Sequence, residues 1–171
     1  MRPRPQRVDP LHLAGLVQRA QRADTMACGD LLELLTPFVR RWCGPIALEE
    51  GADATQETLV VVLRTLHQVR EPAALFGWVR TIAVREAIRV AKQRPQPAEL
   101  TELPAPGDPQ LLVDVQDVLA RLSPEHRAVL MLRTLEGVAE QRVADLLAVP
   151  VGTVKSRLSR ARRSFRKEWT T

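Results

Sequence analysis

The sequence contains no tyrosine, and aromatic residues make up only 4% of it. Any core must therefore be aliphatic, built on leucine, valine, alanine and isoleucine. Glycine is scarce, with eight residues in 171, and no segment alternates as a half-buried strand would. With leucine, alanine, arginine, glutamate and glutamine abundant, this mixture predicts helices. Two cysteines, Cys28 and Cys43, and three scattered histidines, His12, His67 and His126, supply no zinc set. They predict small buried or half-buried thiols in a reducing compartment, and neither metal nor cofactor. No Ser-His-Asp order, phosphate-binding glycine loop or paired carboxylates can be recognised, so no enzyme is expected. The basic, proline-rich start is followed by no continuous apolar run, and nothing approaches the ~20 apolar residues of a membrane span. The expectation is a soluble cytoplasmic protein without direct membrane insertion.

What is present is positive charge in one place. Residues 151 to 171 hold Lys155, Arg157, Arg160, Arg162, Arg163, Arg166 and Lys167 against the single carboxylate of Glu168. The other 150 residues are close to neutral, although the chain carries +5 overall. A cationic stripe on one helix offers phosphates a local target, which a diffuse excess does not. Val151, Val154, Leu158, Ala161, Phe165 and Trp169 recur at spacings of three and four and predict the opposite, core-facing stripe. Upstream, a short helix from about Ala139 to Ala148 with Val143, Leu146 and Leu147 is interrupted at Val149-Pro150. Helix, short turn, basic helix is the helix-turn-helix arrangement.

Five of the thirteen prolines fall between Pro95 and Pro109, where extended geometry replaces helix. The predicted organisation is all-α: a helical domain over 11–94, a flexible proline-rich linker over 95–109, and a helix-turn-helix domain over 110–169. Before the linker the pattern predicts helices at Leu11–Arg22, Asp30–Trp42, Asp53–Leu66 and from Pro72 or Ala73 to Lys92. Pro37 is expected to kink the second unless its lost hydrogen bond falls where water can replace it, and Gly44-Pro45 and Gly51 to separate the second from the third. After the linker it predicts Gln110–Leu122, then a helix capped by Ser123, entered through Pro124 and ended at Gly137.

The stretches from Leu122 to Gly137, Val143 to Ala148 and Val149 to Arg163 resemble the C-terminal domain of bacterial sigma factors of the extracytoplasmic-function type. Asp53-Ala-Thr-Gln-Glu57 and Trp78-Val-Arg-Thr-Ile-Ala83 are similar to that family's other domain. The resemblance implies a promoter-recognition subunit of bacterial RNA polymerase. Its partners would be the core enzyme, at the beta-prime clamp and beta flap, promoter DNA, and an anti-sigma factor.

Carried over by position, the resemblance assigns reading of the upstream (−35) duplex to Thr153, Lys155, Ser156, Ser159 and Arg160, with Arg157 and Arg163 on phosphates. Capture of the melted (−10) strand falls to His67, Arg70, Trp78, Arg80, Arg85 and Arg89, an aromatic with a basic stripe. Clamp contact falls to Asp53, Gln56 and Glu57, although the helix dipole alone would favour carboxylates there. Three positions depart from the family pattern. Ala148 stands where the turn usually has Gly, Ala139 where Ser or Thr usually caps the first helix of the pair, and Arg85 where Asn is common. The rival reading is a helix-turn-helix activator or repressor that binds DNA without polymerase. It would bind its operator alone rather than comigrate with the core enzyme.

Overall fold

The computed structural model describes residues 9–93 and 115–169. Among them the chain forms eight α-helices: α1 (Pro10–Gln21), α2 (Thr25–Ala47), α3 (Gly51–Thr65), α4 (Leu75–Gln93), α5 (Val115–Ala120), α6 (Pro124–Thr134), α7 (Glu140–Leu147) and α8 (Val151–Trp169). No strand occurs among the described residues. The predicted linker, the start of the helix predicted from Gln110 and the N-terminal tail lie outside them.

In the first half, α2, α3 and α4 pack mutually and α1 lies along α2. The predicted face of α2 is the one that faces inward: Leu31, Leu35 and Trp42 are buried, and Leu34 and Phe38 pack against them. Four of the six aromatics lie in this half, Phe38 meeting Phe76 edge-on at 4.9 Å and Trp42 at 6.1 Å. α2 is longer than predicted at both ends and runs through Pro37 and Pro45. Pro37 is exposed, so the carbonyl one turn back that loses its N–H partner faces water. The break expected at Gly44-Pro45 instead falls at Leu48, whose φ of 54° turns the chain into α3. α3 begins at Gly51, which therefore does not separate the helices. Its position is explained by contact, since a Cβ there would stand 3.2 Å from the Gly44 Cα. Pro72 opens a separate 3₁₀ turn, Pro72–Ala74, ahead of α4.

In the second half, Ser123 caps α6 by accepting the His126 N–H, and Pro124 occupies the first turn as expected. Gly137 adopts the left-handed conformation just past the helix, with φ 64°. α6 then packs against α8 on one side and against α2 and α4 on the other. The aliphatic core is consequently continuous between the halves: Ala128, Leu132, Val143 and Val154 belong to the same cluster as Leu31, Leu35, Ile46, Leu75 and Val79.

Candidate nucleic-acid interface

The turn that presents α8 is short and backbone-bonded. The Val149 N–H donates to the Ala144 carbonyl at 3.1 Å, and the Pro150 carbonyl accepts from Thr153 and Val154 at 2.9 and 3.3 Å. Ala148 makes the reversal in the left-handed region, φ 53°, ψ 46°, where a Cβ costs about 1 kcal/mol relative to glycine. Ala139 precedes α7 with no side-chain cap, leaving first-turn N–H groups without that partner.

α8 seats itself by Val154, Leu158 and Ala161, all buried; Phe165 and Trp169, predicted on the same stripe, have side chains outside the described residues. The opposite side carries the predicted readers. Lys155, Ser156, Ser159, Arg160 and Arg163 are exposed, while Thr153 and Arg157 are half-buried at the flanks. The Ser156 hydroxyl donates to its own helix at the Thr153 carbonyl, 3.0 Å. The basic face also bears on α6. Burial first, then the charges of Arg157 and Arg160, hold the His126 imidazole below its ordinary pKa, and its Nδ1 lies 2.6 Å from the Ser123 hydroxyl.

The candidate clamp residues are brought together. Asp53, Gln56 and Glu57 are all exposed on α3 and, with Glu50, Val90 and Gln93, line a shallow cavity of about 290 Å³. Exposed Val60 and Leu63 continue along the same helix.

The candidate strand-capture residues are not gathered into one patch. His67 and Arg70 are exposed on the connection before α4. That connection is pinned by Gln21, whose amide donates to the carbonyls of Leu66 and Val69 at 3.0 and 2.8 Å. Trp78 is half-buried against the core. Arg80 and Arg85 line one groove with Arg142, Asp145 and Leu146 of the second half, whereas Arg89 is held by Glu86 at 2.7 Å and Glu57 at 3.3 Å.

Three residues that matter to this arrangement escaped sequence reading. Gln21 carried no signal. Arg127 did: it falls on the apolar register of α6 beside Ala128 and Met131, and it is buried, donating to the carbonyls of Ile46, Leu119 and Leu122 at 2.7, 3.2 and 2.6 Å. Glu136, next to the helix-ending Gly137, accepts Arg41 at 2.9 Å and faces Arg80 at 3.7 Å.

Comparison with known proteins places these features. Residues 112–165 match the family described as Sigma-70, region 4, the segment that contains the helix-turn-helix. The RNA polymerase sigma-H factor of Pseudomonas aeruginosa is 30% identical, over 89% of this chain and 91% of that protein. The chain belongs to the extracytoplasmic-function family of RNA polymerase sigma factors. Other relatives include the ECF RNA polymerase sigma factor SigE of Mycolicibacterium smegmatis, 30% identical over 68% of this chain, and the probable RNA polymerase sigma factor RfaY of Xanthomonas campestris, 28% identical over 92%. The chain spans about half the length of these two, 51% and 42% respectively. The fold is shared with the sigma factor RpoE solved with the anti-sigma factor NepR from Bartonella quintana. There the TM-score is 0.58 at 20% identity, covering 84% of this chain and 96% of that one. Among the described residues, no helix of this sigma factor is long and apolar enough to cross a membrane.

Proposed function

We propose that this sigma factor binds core RNA polymerase and directs initiation at its own promoters as a non-catalytic specificity subunit. Its α8 reads the upstream element as duplex, and the 66–71 connection and α4 take the melted downstream strand. Asp53, Gln56 and Glu57 meet the polymerase clamp, and the segments 11–94 and 110–169 act as modules joined through 95–109. An inhibitor protein, of the kind NepR is to RpoE, is a further expected partner.

The observation that carries this reading is the division of α8 into a buried aliphatic side and an exposed side bearing Lys155, Ser156, Ser159, Arg160 and Arg163. The preceding turn allows the helix to project. Exposed arginine can meet guanine through two donors, and exposed lysine and serine suit phosphates and base edges. The deciding experiment is in vitro transcription with core polymerase on a genomic library, followed by sequencing of transcript starts. Starts that share an upstream and a downstream element support the reading; absence of chain-dependent starts overturns it. For the clamp surface, Gln56→Ala with Glu57→Ala is expected to weaken core binding, and unchanged affinity would remove that assignment.

A further inference from the structure

We propose that His126 is a further contact of the upstream duplex, outside the helix-turn-helix: from the first turn of α6 its ring takes a backbone phosphate beside Arg157 and Arg160, and it gains a proton from solvent in doing so. The proposal rests on the assignment of α8 to that duplex. α6 packs along α8, and its first turn brings the half-buried His126 ring next to Arg157 and Arg160, whose charges act on it. Three residues apart, the two arginines share one flank of α8, with Arg160 exposed and Arg157 half-buried. A duplex read by Arg160 therefore carries its phosphate edge past the start of α6.

The ring is fixed at one nitrogen. Its Nδ1 lies 2.6 Å from the Ser123 hydroxyl, whose oxygen also accepts the His126 N–H at 3.4 Å. A hydroxyl can donate to Nδ1 of the neutral ring or accept from Nδ1–H of the charged one, so the pair persists in both charge states. With Ser123 so placed, Nε2 carries a hydrogen in each state, and no described residue accepts it. A phosphate oxygen suits it. In the free protein the second proton is disfavoured, first by burial and then by Arg157 and Arg160, against the weaker opposing pull of Glu125, itself paired with Lys92 of α4. Phosphates that neutralise the two arginines remove the repulsion and add attraction, so the ring holds a proton more firmly in the complex than in the free protein. The added affinity is then complete at pH below the free ring's pKa and is lost as pH rises through that of the complex.

The test uses holoenzyme assembled with the parent chain, His126→Gln or His126→Arg. Binding to a fluorescent promoter fragment recovered by transcript-start sequencing is measured by anisotropy at about pH 6 and about pH 8. Dividing each variant's affinity by the parent's at the same pH removes the pH dependence of the polymerase itself. A ring whose proton is about ten times harder to remove in the complex tightens binding by up to about ten-fold at low pH. His126→Gln, which keeps a partner for Ser123 but cannot charge, should fall behind the parent by up to about ten-fold at about pH 6 and draw nearly level at about pH 8. His126→Arg is charged throughout and should gain on the parent over the same range; it decides alone if circular dichroism shows His126→Gln to be poorly folded. A relative affinity that stays constant across this range in a folded variant overturns the proposal, because a ring with a merely structural role would give that result. The same fragment with its upstream element scrambled keeps the role of α8 apart. Parent holoenzyme that binds both fragments alike overturns the reading by α8 and the proposal with it, whereas discrimination by the parent without a pH effect in the variants overturns the proposal alone.

Discussion

Arg127 carries a charge into a buried place where carbonyls take its hydrogen bonds. Burial pushes the guanidinium pKa down, yet the group stays ionised because an arginine starts so high. Its Nε and Nη1 serve the carbonyls of Ile46, Leu119 and Leu122, tying α2, the end of α5 and the start of α6 to one side chain. Arg127→Met keeps much of the stem but strands those acceptors. A stability loss on the order of 3 kcal/mol is expected in chemical denaturation. His126, one residue away, acts through pH. Its folded pKa lies below the ordinary 6.5, so the folded state prefers the neutral ring. That contribution is complete above about pH 6.5 and is lost as pH falls through the folded value. Melting temperatures at about pH 7.5 and about pH 5.5 should therefore differ less for His126→Gln than for the parent chain. At the reading surface, Arg160→Ala should cost ~1–3 kcal/mol and relax preference at one base pair of the upstream element. Initiation on promoters varied one base at a time measures it, and a uniform loss on every variant would count against base reading.

Among the elements, helix ends decide how the chain turns, and here three of them use residues other than glycine. Ala23, Leu48 and Ala148 all have positive φ, near 62°, 54° and 53°. The two departures at α7 predict their own repair. Ala148→Gly relieves the Cβ and Ala139→Ser supplies the missing cap, each expected to add about 1 kcal/mol and to raise the melting temperature together. The sequence made most of these elements legible where periodicity and caps agree. The α8 stripe of Val154, Leu158 and Ala161 and the Ser123-Pro124 start of α6 stand as read, and Gly137 is left-handed as expected although α6 ends earlier, at Thr134. It misled where a residue's usual role was overridden by packing. Gly44-Pro45 reads as a break, but α2 is held by Leu31, Leu35, Val39, Trp42 and Ile46 along its buried side, and that burial outweighs the lost hydrogen bond. The polar contacts between halves were not legible at all. Glu136 meeting Arg41 and Arg80 joins positions far apart in sequence, and no local pattern encodes such a pairing.

At the scale of the whole molecule, charge is concentrated at one end, with seven basic side chains in the last 21 residues of a chain of net charge +5. Binding to the upstream duplex should accordingly be steeply salt-dependent through counterion release. Arg163→Gln, which removes an exposed anchor, should lower the slope of log affinity against log salt by about one without altering base preference. Equilibrium binding at several salt concentrations checks both parts; an unchanged slope would show that Arg163 touches no phosphate. The seating of α8 has a consequence for how such a protein can change over generations. Since Val154, Leu158 and Ala161, with Val151 packed beside them, seat the helix, the outward positions are nearly uncoupled from stability, where substitutions usually shift it by no more than about 0.5 kcal/mol. A duplicated copy could acquire a new set of target genes through a few exchanges at positions 155, 156, 159 and 160 while its fold and its polymerase-binding surface stayed as they were.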